Sequence, residues 1–177
     1  MLTIENSIPL KWSPIDLPVD HQKLLEIQDN NKQLLLVLLD KHKNSKDFEN
    51  EAEDTTSELK MLQHKVDLLT TWLGKLLLSE MTLPSCKQVK ISSNGITVTT
   101  ESQLPIEDTL LIECYIDPDF PQALLLHGQI TSIKEVESGN EIAIQFIKLG
   151  TEVSDLLDKL IFQNHRRLIA YKKSTEL

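Results

Sequence analysis

Between Leu59 and Leu76 the apolar residues fall at Leu59, Leu62, Val66, Leu69, Leu73 and Leu76. These alternating steps of three and four residues are a heptad pattern that lines one seam of a helix and asks for partner helices. Pro84 stops such a helix soon after its last heptad, because proline lacks the amide hydrogen and restricts the residue before it. Thr56 or Ser57 is placed to cap its start. Trp72, Leu68 and Leu77 add apolar area beside the seam, more than one antiparallel partner covers. Two arrangements follow: pairing between chains, as a dimer or tetramer, or packing of the helices on the chain's own second domain.

An earlier stretch, Asp20 to about Asn44, carries Leu24, Ile27, Leu34 and Leu38 at helical spacing, with Asn31 on the same stripe. This predicts an amphipathic helix that forms an antiparallel hairpin with the heptad helix across the polar link Lys43–Glu58. A buried Asn in such a stripe is a known way to fix register between helices, and Asn31 is assigned that role as an expectation. Ahead of it, Pro9, Pro14 and Pro18 predict an extended lead-in rather than a helix, with Trp12 docked on a neighbouring surface.

After Pro84 the apolar period drops from seven-in-two-turns to two, which marks the change from helices to strands. Val89 and Ile91, then Ile96 and Val98, alternate across the turn Ser92-Ser93-Asn94-Gly95. Asn-Gly is the pair that best accepts the positive φ angles of a tight hairpin. Leu110, Ile112, Cys114 and Ile116 alternate next, followed by the turn Asp117–Pro121 and two further strands joined at Glu137–Asn140. At least five strands in hairpin succession predict a small antiparallel barrel, since closure removes exposed edges. A last helix opens at Gly150-Thr151, with Val153, Leu157, Leu160, Ile161, Asn164 and Leu168 on one side and Arg166, Arg167, Lys172 and Lys173 towards its end. The basic group suits the negative end of a helix dipole. The chain is thus read as α+β: a helical oligomerisation region over residues 1–83 and a β-barrel with a closing helix over residues 84–177.

Composition narrows the function. The net charge is −9 and the only arginines are Arg166 and Arg167, so no broad basic surface exists for a nucleic-acid backbone. No apolar run reaches the ~20 residues of a membrane span, and the first residues lack a basic-then-apolar leader, so a cytoplasmic protein is expected. Cys86 and Cys114 lie too far apart for a CxxC site and are read as reduced thiols without a metal. The five histidines are scattered, and neither a P-loop nor a GxGxxG segment is present. Catalysis has no support, and no cofactor is expected; His127, set among apolar residues, is read as a barrel residue with a hydrogen-bond partner.

The β region resembles the PilZ domain family over roughly residues 84–175. The resemblance rests on the turn Ser92-Ser93-Asn94-Gly95, the return Pro105-Ile106-Glu107-Asp108-Thr109-Leu110-Leu111-Ile112-Glu113, the strand Ala143-Ile144-Gln145-Phe146 and the closing helix. With a heptad helix in front, it is similar to the atypical, oligomeric branch of that family. The resemblance implies a signalling receptor for cyclic di-GMP that uses an Arg-x-x-x-Arg segment before the barrel and an Asp/Asn-x-Ser-x-x-Gly turn on it. This sequence keeps Ser92 and Gly95, places Lys90 where the acid or amide stands, and has no arginine before the barrel. Lysine is a point charge and does not reproduce the planar guanidinium fork. Lys90, Ser92, Asn94 and Gly95, with Arg166 and Arg167, are the candidate ligand residues by this resemblance. The alternative is a protein-interaction scaffold that no longer binds the nucleotide and works on a protein partner the sequence does not identify.

Overall fold

The structure, a computed structural model, describes residues 2–16, 18–44, 54–101, 108–137 and 139–175. Nine elements follow in order: β1 (Ile4–Pro14), α1 (His21–Asn44), α2 (Asp54–Glu80), β2 (Cys86–Ile91), β3 (Gly95–Thr100), β4 (Thr109–Cys114), β5 (Leu124–Val136), β6 (Gly139–Phe146) and α3 (Thr151–Thr175). The six strands close into an antiparallel barrel in the order β1-β2-β3-β6-β5-β4. Most of the polar link at 43–58 (residues 45–53) and the start of the Pro105–Glu113 return lie outside the described residues.

The proline-bearing lead-in is itself a stave of the barrel. Residues Ile4 to Pro9 pair with β2, and Leu10 to Pro14 switch to β4, so this one strand closes the sheet. Pro9 sits at the switch, where its missing amide costs no ladder bond while its carbonyl accepts from the Tyr115 amide at 3.1 Å. The expected division at residue 84 therefore runs through the barrel: residues 84–177 supply five staves, and residues 4–14 supply the sixth. Alternation would have shown it, since Ile8 and Leu10 are buried with Ile4, but the three prolines masked a pattern that period two otherwise carries.

The inward residues of every strand form one core, among them Leu10, Ile91, Ile112, Leu126 and Ile142. Leu34, Leu35, Leu38 and Leu39 of α1 and Val153, Leu157, Leu160 and Ile161 of α3 join the same core. Leu168, expected on this side of α3, is exposed instead. Thus α1 turns its stripe on the barrel and α3 rather than along α2. Asn31 explains the choice. It is buried, its amide nitrogen donates to the Leu125 carbonyl (2.6 Å), and its amide oxygen accepts from the Leu125 amide (2.9 Å). Leu125 pairs with Glu113 on one side, whereas β6 joins β5 only from Gly128 onward. The Asn31 side chain stands in for the absent strand at that open edge. Its expected role in helix register is replaced by this one.

Candidate functional site

Two regions carry the candidates, and the first is the β2–β3 hairpin. Ser92 donates its amide to the Gly95 carbonyl at 2.9 Å, and its hydroxyl both donates to that carbonyl and accepts from the Gly95 amide at 3.1 Å. The Asn94 carbonyl accepts from the Phe146 amide at 2.8 Å, tying the turn to the end of β6. Neither Asn94 nor Gly95 has a positive φ; among the described residues those angles belong to Lys148 (53°) and Gly139 (121°). The expectation of a positive-φ Asn-Gly turn is corrected accordingly. Gly95 is required for a different reason: a Cβ there would lie 2.5 Å from the Ile144 carbonyl oxygen of the neighbouring strand. The Ser92 amide bond to the Gly95 carbonyl leaves Ser93 and Asn94 as the central pair, so the hairpin is tight, closed by its own serine rather than by a positive-φ Asn-Gly pair.

Lys90 lies exposed one strand position before this turn's base, 4.0 Å from the Glu5 carboxylate of β1. Both partners are more than half exposed, so the pair contributes little. Lys90, Ser92, Asn94 and Gly95 thus share one hairpin. Arg166 and Arg167 lie on α3, where Arg166 sits over the Phe162 ring at 5.8 Å. A contact of an arginine with an aromatic one helical turn earlier explains its orientation without a ligand. Lys87 is also committed, lying 4.8 Å above the Trp12 ring, which is partly buried against the core.

The second region is α2. Leu59, Leu62, Val66, Leu69, Leu73 and Leu76 are 52–65% exposed, and Trp72 is 60% exposed. Exposure of a whole heptad seam, rather than of scattered side chains, is the mark of an interface. The helix begins at Asp54, so Thr56 and Ser57 lie inside it rather than at its cap. It approaches the barrel closely at Gly74, which is buried against the Asp119 backbone. Further along, Leu78 and Leu83 face Pro9, Ile116 and Phe120 across a cavity of about 350 Å³.

Cys114, His127 and Lys41 are shifted by their surroundings. Burial pushes the Cys114 thiol up to about 12, which leaves it unreactive, while Cys86 is exposed and free. Burial, then the charges of Lys148 and Lys23, lower His127 below its ordinary value. Burial works against the charge of Lys41, but the Asp117 and Asp119 carboxylates at 2.9 and 3.3 Å outweigh it and raise its pKa. Sequence reasoning missed this Lys41 cluster, whose members are 76 and 78 residues apart, and it missed Gly74. Gly74 did leave a signal, as a lone glycine within a strong heptad pattern. Among the described residues no group of three or more His, Cys, Asp or Glu is placed to hold a metal, and no helix is long and apolar enough to cross a membrane.

The model of a family described as atypical PilZ domain, cyclic di-GMP receptor, matches residues 33–174. Among solved structures the chain is similar to the crystal structure of a pathogenic protein from Xanthomonas campestris, described as a new tetrameric PilZ domain self-assembled via an unusual helical bundle. The two share 21% identity at a TM-score of 0.71, over 96% of this chain and 90% of that one. No curated protein matches the chain.

Proposed function

The chain belongs to the atypical PilZ family, whose model spans residues 33–174, and on that premise we propose that it is a non-enzymatic signalling protein that works as an assembly. Copies join through the heptad seam of α2 and display their barrels around the resulting helical bundle. The observation that carries this reading is the uncovered seam: six heptad residues and Trp72 face water in the single chain. Burying each leucine of the seam is worth roughly 2 kcal/mol, and a second copy supplies a seam of the same shape. The similar structure from Xanthomonas campestris, with its helical bundle, supports the same use of this helix.

In this reading the barrel lacks the usual dinucleotide clamp. The only two arginines are on α3, Ser92 spends its hydroxyl on Gly95, and Lys90 offers one exposed point charge. The second reading is favoured by family membership: cyclic di-GMP held at Lys90, Ser92, Asn94 and Gly95 with help from Arg166 and Arg167. Isothermal titration with cyclic di-GMP separates them. The scaffold reading expects no heat at dinucleotide concentrations of ~100 μM, about −5 kcal/mol on the affinity scale. Saturable heat that is lost when Arg166 and Arg167 are both changed to Ala establishes the receptor reading instead.

A further inference from the structure

Gly74 is the one glycine of α2; it lies towards the C-terminal end of the helix, off the exposed seam, and is itself buried. Glycine is a poor helix former, so its presence there needs a reason. A Cβ at this position would run into the Asp119 carbonyl oxygen, with the Pro121 ring 3.6 Å away. The obstacle is backbone, so it does not swing aside as a side chain would. The turn that bears it is also held from within. The Asp119 amide donates to the Asp117 carboxylate at 2.8 Å, and the Phe120 amide donates to the Asp117 carbonyl at 3.2 Å. From α1, the Lys41 ammonium donates to both Asp117 oxygens at 3.0 and 2.9 Å and to Asp119 at 3.3 Å. The Asp117 side chain is only 10% exposed.

We propose that the Asp117–Pro121 turn, clamped by Lys41 and seated in the notch left by Gly74, is the joint that sets the direction in which α2 leaves the barrel. Gly74, Lys41 and Asp117 are positioning residues: they do not belong to the self-association seam, but they aim it. The joint links three parts of the fold, since α1 reaches the turn with Lys41, the barrel supplies the turn between β4 and β5, and α2 rests on it. This inference rests on the assembly reading for its consequence, while the joint itself lies within one chain.

Substituting Gly74→Ala gives a test with a decisive sign. Alanine is the better helix former, so if Gly74 has no seat to keep, the variant assembles as well as the wild type and melts higher. If the joint exists, α2 is pushed off the turn. Spin labels at Ser57→Cys and Glu135→Cys, in a Cys86→Ser background diluted with unlabelled protein, read the distance between α2 and the barrel within one chain. The expected result is a shifted or broadened distance distribution and a dissociation constant of the assembly raised about tenfold or more. An unchanged distribution overturns the proposal. Lys41→Met, which frees the turn without touching α2, is expected to broaden the same distribution; no change there overturns it equally, and this variant decides the matter if Gly74→Ala does not fold. A monomeric wild type would overturn the assembly reading alone, because the label distance still reports on the joint.

Discussion

Single side chains in this fold close gaps that regular hydrogen bonding leaves open. Asn31 pairs with both backbone groups of Leu125, so Asn31→Leu leaves a half-buried amide and carbonyl without these partners. A loss of about 2–4 kcal/mol is expected in urea unfolding, and a neutral or stabilised variant would show that the edge is not the reason for the asparagine. Gly95→Ala puts a methyl group 2.5 Å from the Ile144 carbonyl and is expected to cost about 1–3 kcal/mol by the same measurement. His127 gives a pH signature. Its folded-state pKa lies below the ordinary histidine value of about 6.5, because burial and then the charges of Lys148 and Lys23 disfavour the proton. As pH falls below 6.5 the unfolded chain binds that proton first, so stability declines through that window and levels off below the folded-state pKa. Urea midpoints between pH 7.5 and 5 should fall in the wild type, and less steeply in His127→Gln.

At the scale of elements, the strands and helices read differently from sequence. The barrel strands β2, β3 and β4 are legible because alternation is a local property, and the burial of Val89, Ile91, Ile96, Val98, Leu110, Ile112 and Cys114 matches it, while Ile116 lies beyond the end of β4 and is half-buried. What periodicity does not show is partnership. The stripe of α1 carries no mark that says it faces a barrel rather than another helix, and Asn31 reads as a coiled-coil register residue until the open edge of β5 is seen. β1 was hidden because prolines suppress a strand prediction, though one at the switch between two neighbours is tolerated. The candidate ligand turn was placed correctly as a hairpin, but the internal commitment of Ser92 depends on its geometry with Gly95. The consequence for fragments is direct: a chain of residues 84–177 lacks the stave between β2 and β4 and the packing of α1. It is expected to be unfolded or aggregated, with no cooperative melt in circular dichroism. Adding residues 2–44 as a separate peptide should restore a melt if closure by β1 and cover by α1 are what is missing.

For the whole molecule, one acidic chain of 20.2 kDa combines a closed barrel with a helix whose apolar face is exposed among the described residues. The family model, over residues 33–174, includes α2 together with β2 to β6 of the barrel. On the proposed assembly reading, association and barrel are separable energetically, because the seam residues take no part in the barrel core. Leu62→Glu combined with Leu69→Glu should therefore abolish assembly while the strand signal in circular dichroism persists, since a buried unpaired carboxylate at a helix seam is strongly unfavourable. The most direct test of the central claim is the mass of the full-length wild-type protein by light scattering at micromolar concentration. A dimer or tetramer, at two or four times 20.2 kDa, that falls to a single chain in the double variant is the predicted result. A wild-type mass of 20.2 kDa would contradict it.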